Sequence, residues 1–125
     1  MIYTTYFSKL RNLPPDIVPI SITLFPPKNW GGLQYTALAP SPKMLFAFKN
    51  GMTEDAYRLG YNFILSSLRP DQVVKDLFSL ASGAKDIALV CYEKSSDFCH
   101  RHLVAEWLNQ HGYHAAEFDF SDAKS

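Results

Sequence analysis

The sequence predicts an α/β fold: a three-layer, Rossmann-like domain with a mainly parallel four-stranded sheet and flanking helices. Three observations predict it. "IVPISITLF" (17–25) and "IALVCY" (87–92) are nearly continuous apolar or β-branched runs, the pattern of strands covered on both faces. The segments between and after them repeat with helical period and are long enough to act as crossovers. A chain of 125 residues supports one sizeable core and not two comfortable ones. Residues 1–120 therefore read as one domain and 121–125 as a flexible polar tail.

Each element has its own signal. "MIYTTYF" (1–7) alternates and is rich in β-branched and aromatic residues, so it reads as the first strand. "SKLRNLPPD" connects it to the second, whose regular part begins after Pro19. Residues 26–40 carry paired prolines and paired glycines, which argue against a regular element there. Ser41 caps a short helix, with Pro42 at its first position and Gly51 as its stop. Thr53 caps the next, whose inner face carries Tyr57, Tyr61, Ile64, Leu65 and Leu68. Pro70 opens a third helix with a stripe of Val73, Val74, Leu77, Phe78 and Ala81. After the 87–92 strand, residues 97–111 form a helix with Leu103, Val104, Trp107, Leu108 and His111 inward and Gly112 as its stop. "HAAEFDF" (114–120) is a short edge strand. His102 reads as structural or surface, and His114 as solvent-facing.

Bulk properties exclude several classes. Met1 is followed by "IYTTYF", without the basic and apolar regions of a signal peptide. No apolar run approaches a membrane span. Two close cysteines outside a secretory context indicate a reducing cytoplasm. The net charge is zero but unevenly spread: residues 1–50 hold Lys9, Arg11, Lys28, Lys43 and Lys49 against Asp16 alone. One basic side suits a local anion.

Chemistry concentrates in "CYEKSSDFCHR" (91–101), which holds both cysteines. In a parallel sheet, ligands bind outside the carboxyl ends of the strands. The loops after the first three strands then share one edge, bringing Lys9, Arg11, Lys28, Lys94 and Arg101 around a crevice. Cys99 falls in the first turn of a helix, where free N–H groups and the dipole favour a thiolate, so it is a candidate nucleophile. The plainer alternative is a small residue packed at a helix start. Cys91, ending an apolar strand, reads as core. Glu93 and His100 are the candidate acid/base groups; Glu93 reads equally well as a solvated loop carboxylate. Arg101 and Ser96, with Lys28 and Lys9 from the early loops, are candidate anion ligands. Trp30 and Tyr35 beside Lys28 suit ring stacking or simply pin the loop. Cys91, Glu93, Cys99 and His100 include zinc-ligand types, but the spacing matches no zinc pattern and adjacent Cys99 and His100 would be awkward in one tetrahedron, so a structural metal clip is a third and weaker reading. No arginine lies six positions after either cysteine, which excludes a tyrosine-phosphatase loop, and no GxGxxG is present.

The set Cys91, Glu93, Cys99, His100 and Arg101, with "IYTTYFSK" at the start, resembles the domain-of-unknown-function family 488. The likeness covers the first ten residues loosely and about residues 85–112 closely. Where longer members have Asp-x-Arg after the second strand, this chain reads "LFPPKNWGG", with Lys28 and Trp30 in that region, so it looks like a compact branch. The resemblance implies a compact three-layer α/β domain in a bacterial, archaeal or phage cytoplasm. It implies no activity, but a recurring Cys, Glu, Cys, His and Arg set favours a reactive site over packing. The expectation is an enzyme-like site for an anionic ligand, a nucleotide or nucleic-acid component, with no cofactor, no metal and no membrane partner. The alternative is a non-catalytic module that grips an anion, a nucleic acid or a partner protein.

Overall fold

The computed structural model describes residues 1–92 and 99–121. Five strands form one all-parallel sheet in the order β3-β2-β4-β1-β5. They are β1 (Ile2–Tyr6), β2 (Ile17–Ser21), β3 (Leu33–Gln34), β4 (Asp86–Cys91) and β5 (Ala115–Glu117). The helices are α1 (Pro42–Lys49), α2 (Glu54–Ser66), α3 (Pro70–Leu80) and α4 (His100–Gln110). The expected Rossmann-like α/β architecture is therefore present. Among the described residues no helix is long and apolar enough to cross a membrane.

The cap residues behave as their chemistry requires. Ser41 Oγ accepts from the Met44 N–H at 3.1 Å and Thr53 Oγ1 from the Ala56 N–H at 3.1 Å, each satisfying a donor the helix cannot use internally. Gly112 closes the region after α4 at φ 89°, a conformation that costs a residue with a Cβ but not glycine.

Central β4 is buried from Ile87 to Cys91, as an apolar run paired on both sides should be. Register decides which side chains share a face, since partners in parallel strands point the same way. Ile2 lies beside Ile87, Thr4 beside Leu89 and Tyr6 beside Cys91. Ile20 also pairs with Leu89, and Thr4 with Glu117. Ile2, Ile20, Ile87 and Leu89 join one core with Tyr61, Leu65, Leu77, Leu103 and Trp107 from α2, α3 and α4. Each large apolar side chain buried there contributes about 1.5–3 kcal/mol. The same face places Thr4, Tyr6, Cys91 and Glu117 together at the carboxyl end of the sheet.

Four sequence expectations need correction. Strand β2 runs through Pro19, which pairs with Ala88, and His111 is exposed just after α4 and not turned inward. The sheet has five strands, because residues 26–40 contain a regular piece. Leu33 and Gln34 pair with Ile20 and Ser21, and the Tyr35 N–H donates to the Ser21 carbonyl at 2.8 Å. An uncovered β2 edge leaves donors and acceptors unpaired, and the long loop returns to satisfy them despite its prolines and glycines. Cys99 is not inside the first turn of α4. It is the N-cap, extended at φ −153° and ψ 146°, and the helix begins at His100.

Candidate functional site: the Cys91–Cys99 turn

All five strands are parallel, so the connections after β1, β2 and β4 leave one edge of the sheet. Ring contacts join these connections: Phe7 lies 5.3 Å from Trp30 and 5.0 Å from Tyr92 between ring centres. Tyr92 Oη donates to the Phe25 carbonyl at 2.7 Å. The expected convergence of three loops at one rim is thus a feature of the fold.

At this rim the chain leaves β4 through Cys91 and re-enters the described structure at Cys99. Both cysteines are buried and joined as a disulfide. The expectation of Cys91 as core holds for its burial; its sulfur also has a bonding partner. Cys99 takes its place from the extended N-cap backbone, which turns its side chain back toward the end of β4.

His100 is buried beneath Cys99. Its Nε2 lies 2.8 Å from the Ile22 carbonyl, and a carbonyl oxygen only accepts, so Nε2 carries the proton. Burial first, then the nearby Arg101 and His102 charges, lower its pKa to about 4, against the opposing effect of the Ile22 bond. His100 is therefore neutral near pH 7, and its Nδ1 is an unprotonated acceptor 3.7 Å from Cys99 Sγ. Tyr61 packs edge-on against the imidazole at 5.5 Å, and its hydroxyl donates to the Leu38 carbonyl.

Arg101 is completely buried. Its Nε and Nη2 donate to the two carboxylate oxygens of Glu117, each at 3.0 Å, and its Nη1 donates to Cys91 Sγ at 2.8 Å. Thr4 Oγ1 donates to the same carboxylate at 2.6 Å, and the guanidinium lies 5.5 Å from the Tyr6 ring centre. Arg101, expected to hold an external anion, is paired here with an internal carboxylate, and its positive charge sits beside a cysteine sulfur. A guanidinium in that place favours thiolate when the cysteine is reduced.

Cys99 and His100 also line a cavity of about 340 Å³, within the usual range for small-molecule sites. Its walls include Phe25, Phe48, Tyr57 and Tyr92, and among the described residues Lys49 brings the only charged side chain of the lining. Lys9 and Lys28 stand apart from this lining. Lys9 extends over the Phe120 ring at 5.9 Å, and Lys28 is exposed in the loop after β2. Both belong to the same sheet edge. Glu93 and Ser96 lie outside the described residues. Cys91, Cys99 and His100 each present a metal-ligating atom, all within 4.8 Å of one another.

Sequence reasoning missed Glu117, Lys49 and Tyr61 as site residues. Glu117 had a faint signal, a carboxylate among the apolar residues of an edge strand. Lys49 and Tyr61 had none, since helical spacing shows a face and not the neighbour it meets.

A family model described as the active DUF488-N3 subclade, DUF488-N3a, matches residues 10–112. No curated protein and no solved structure matches the chain.

Proposed function

The chain belongs to the DUF488-N3a family, and from that premise and the geometry above we propose that it is a thiol-dependent enzyme acting on a small anionic ligand seated in the Cys99–His100 cavity. One observation carries the reading: Cys99 Sγ and the bare Nδ1 of His100 are 3.7 Å apart on the wall of the same cavity. In the dithiol state Cys99 presents its S–H to that nitrogen. As the sulfur attacks an electrophilic atom of the ligand, the bond to the leaving group breaks and the thiol proton passes to Nδ1. The aromatic walls suit a flat ring of nucleobase size, and Lys49 suits its anionic group. Lys9 and Lys28 add positive charge to the same edge. In the dithiol state Arg101 stabilises Cys91 as thiolate; in the disulfide state the two sulfurs are bonded to each other. The description of the subclade as active agrees with a complete Cys, His and Arg set.

The test is alkylation of the reduced protein by iodoacetamide at pH 7, with the modified site identified by mass spectrometry. Cys99 should react about tenfold faster than the same cysteine in denatured protein, and His100→Gln should remove most of that advantage. Equal rates in folded and denatured protein would remove the nucleophile. A binding module predicts instead that Cys99→Ser leaves every measurable activity intact.

A further inference from the structure

We infer that the dithiol form of this site binds one zinc ion through Cys91 Sγ, Cys99 Sγ and His100 Nδ1, with the fourth position open to the cavity. This goes beyond the thiol reading, because it concerns a second state of the same side chains and holds whether or not Cys99 is a nucleophile.

The geometry answers the objection that neighbours in sequence make poor ligands. Zinc–sulfur bonds of about 2.3 Å and zinc–nitrogen bonds of about 2.0 Å imply a tetrahedral S···N edge of roughly 3.5 Å. Cys99 Sγ and His100 Nδ1 are already 3.7 Å apart in the disulfide state. Adjacent residues reach this spacing here because Cys99 is extended at the N-cap while His100 is already helical. Cys91 comes from the end of β4, and all three ligand atoms lie within 4.8 Å of one another.

The surroundings suit a metal as well. A zinc-bound histidine usually donates its other N–H to a carbonyl or carboxylate, which fixes the ring and its tautomer. His100 does this through Nε2 and the Ile22 carbonyl at 2.8 Å. Charge balances too. Two thiolates cancel a divalent ion, and Arg101, which would otherwise repel it, is neutralised by a two-point ion pair with Glu117. Among the described residues these charges cancel. The ligand set of two thiolates and an imidazole selects zinc among common divalent ions. Of the three ligands, Cys99 and His100 line the cavity, so the open coordination position faces the place where a small molecule enters.

Binding involves no electron transfer. Two sulfur–metal bonds form, and the proton of the Cys99 thiol, with any still on Cys91, leaves to solvent. The disulfide state, whose sulfurs are bonded to each other, takes no zinc.

The experiment uses the full chain, reduced with a phosphine and freed of chelator. Zn²⁺ is titrated against a chromophoric chelator, and Co²⁺ is followed by its thiolate charge-transfer band. One equivalent should bind, with a cobalt band of two-thiolate intensity. Cys91→Ser and Cys99→Ser should each weaken binding by at least about a hundredfold, since loss even of an outer partner costs ten- to a hundredfold. Two measurements on the unaltered chain are independent of variant folding: the oxidised protein should bind no metal, and zinc-loaded protein should resist iodoacetamide. Absence of stoichiometric binding by reduced protein, a cobalt spectrum without thiolate character, or unchanged affinity in folded Cys99→Ser overturns the inference. Fast alkylation without zinc uptake leaves the thiol reading standing and removes this one. Zinc uptake with slow alkylation of the metal-free protein does the reverse.

Discussion

Arg101 carries a full charge into a position with no solvent exposure, and Glu117 is the residue that makes this tolerable. A buried ion pair adds little stability over an apolar pair, but breaking it strands a charge at several kcal/mol. Glu117→Gln should therefore destabilise the fold by about 3 kcal/mol, toward the low end of the usual cost because Glu117 is partly exposed. Thermal unfolding measures it, and a change under 1 kcal/mol would mean that the other interactions of Arg101 suffice to hold its charge. His100 makes a second residue-scale prediction. Its folded pKa is about 4, below the ordinary value near 6.5 of the unfolded chain. The unfolded state thus binds more protons between these values. Stability contributed by neutral His100 is complete above about pH 6.5 and is lost progressively as pH falls toward 4, by on the order of 3 kcal/mol. Among the described residues, Cys99, Tyr61 and the Ile22 carbonyl contact the imidazole, and the charges of Arg101 and His102 act on it. Denaturant titrations from pH 7 to 4 should show this slope in the parent protein and a shallower one in His100→Gln.

At the scale of elements, the site depends on where β5 docks. Asn109 fixes that docking. Its Nδ2 donates to the Ala115 carbonyl at 2.8 Å, and its Oδ1 accepts from the Ala115 N–H at 3.1 Å. One amide therefore ties the end of α4 to the start of the strand that carries Glu117. Asn109→Ala leaves both Ala115 groups to find water and should cost about 1–3 kcal/mol. Faster amide exchange in β5 than in β4 is the measurement, and unchanged exchange in β5 would refute the clamp. The cap of α2 acts likewise. Thr53→Ala removes the acceptor for the Ala56 N–H, and about 1 kcal/mol of stability should go with it. The elements themselves were legible in the sequence because caps, prolines and apolar spacing are local. The exception is instructive: β3 lies in a segment rich in proline and glycine, and only the unpaired edge of β2 makes it a strand.

At the scale of the whole molecule, one sheet edge collects side chains distant in sequence. The cavity takes Phe25 from the loop after β2, Lys49 from α1, Tyr57 from α2 and Cys99 with His100 at the start of α4. The early positive charge read from composition reaches this cavity through Lys49, and not through Lys9 or Lys28. Lys49→Ala should weaken binding of a nucleoside monophosphate a few-fold, as removal of one exposed charge does, and leave binding of the uncharged nucleoside unchanged. Calorimetry at two salt concentrations tests both arms. Equal losses for the two ligands would mean that Lys49 acts through packing.

The sequence by itself determined the α/β class, most element boundaries and the concentration of thiol, imidazole and guanidinium at the end of β4. These follow from local rules: backbone preference, capping chemistry and the period of apolar residues. Only the tertiary structure decided what those groups face. Glu117 meets Arg101 because β5 lands beside β1, sixteen residues further along the chain. His100 is neutral because the packed chain buries it away from water, and the carbonyl of Ile22, seventy-eight residues away, fixes which ring nitrogen keeps the proton. Partners, burial and hence charge state are set by which strands become neighbours, and that choice is made by the packing of the whole chain.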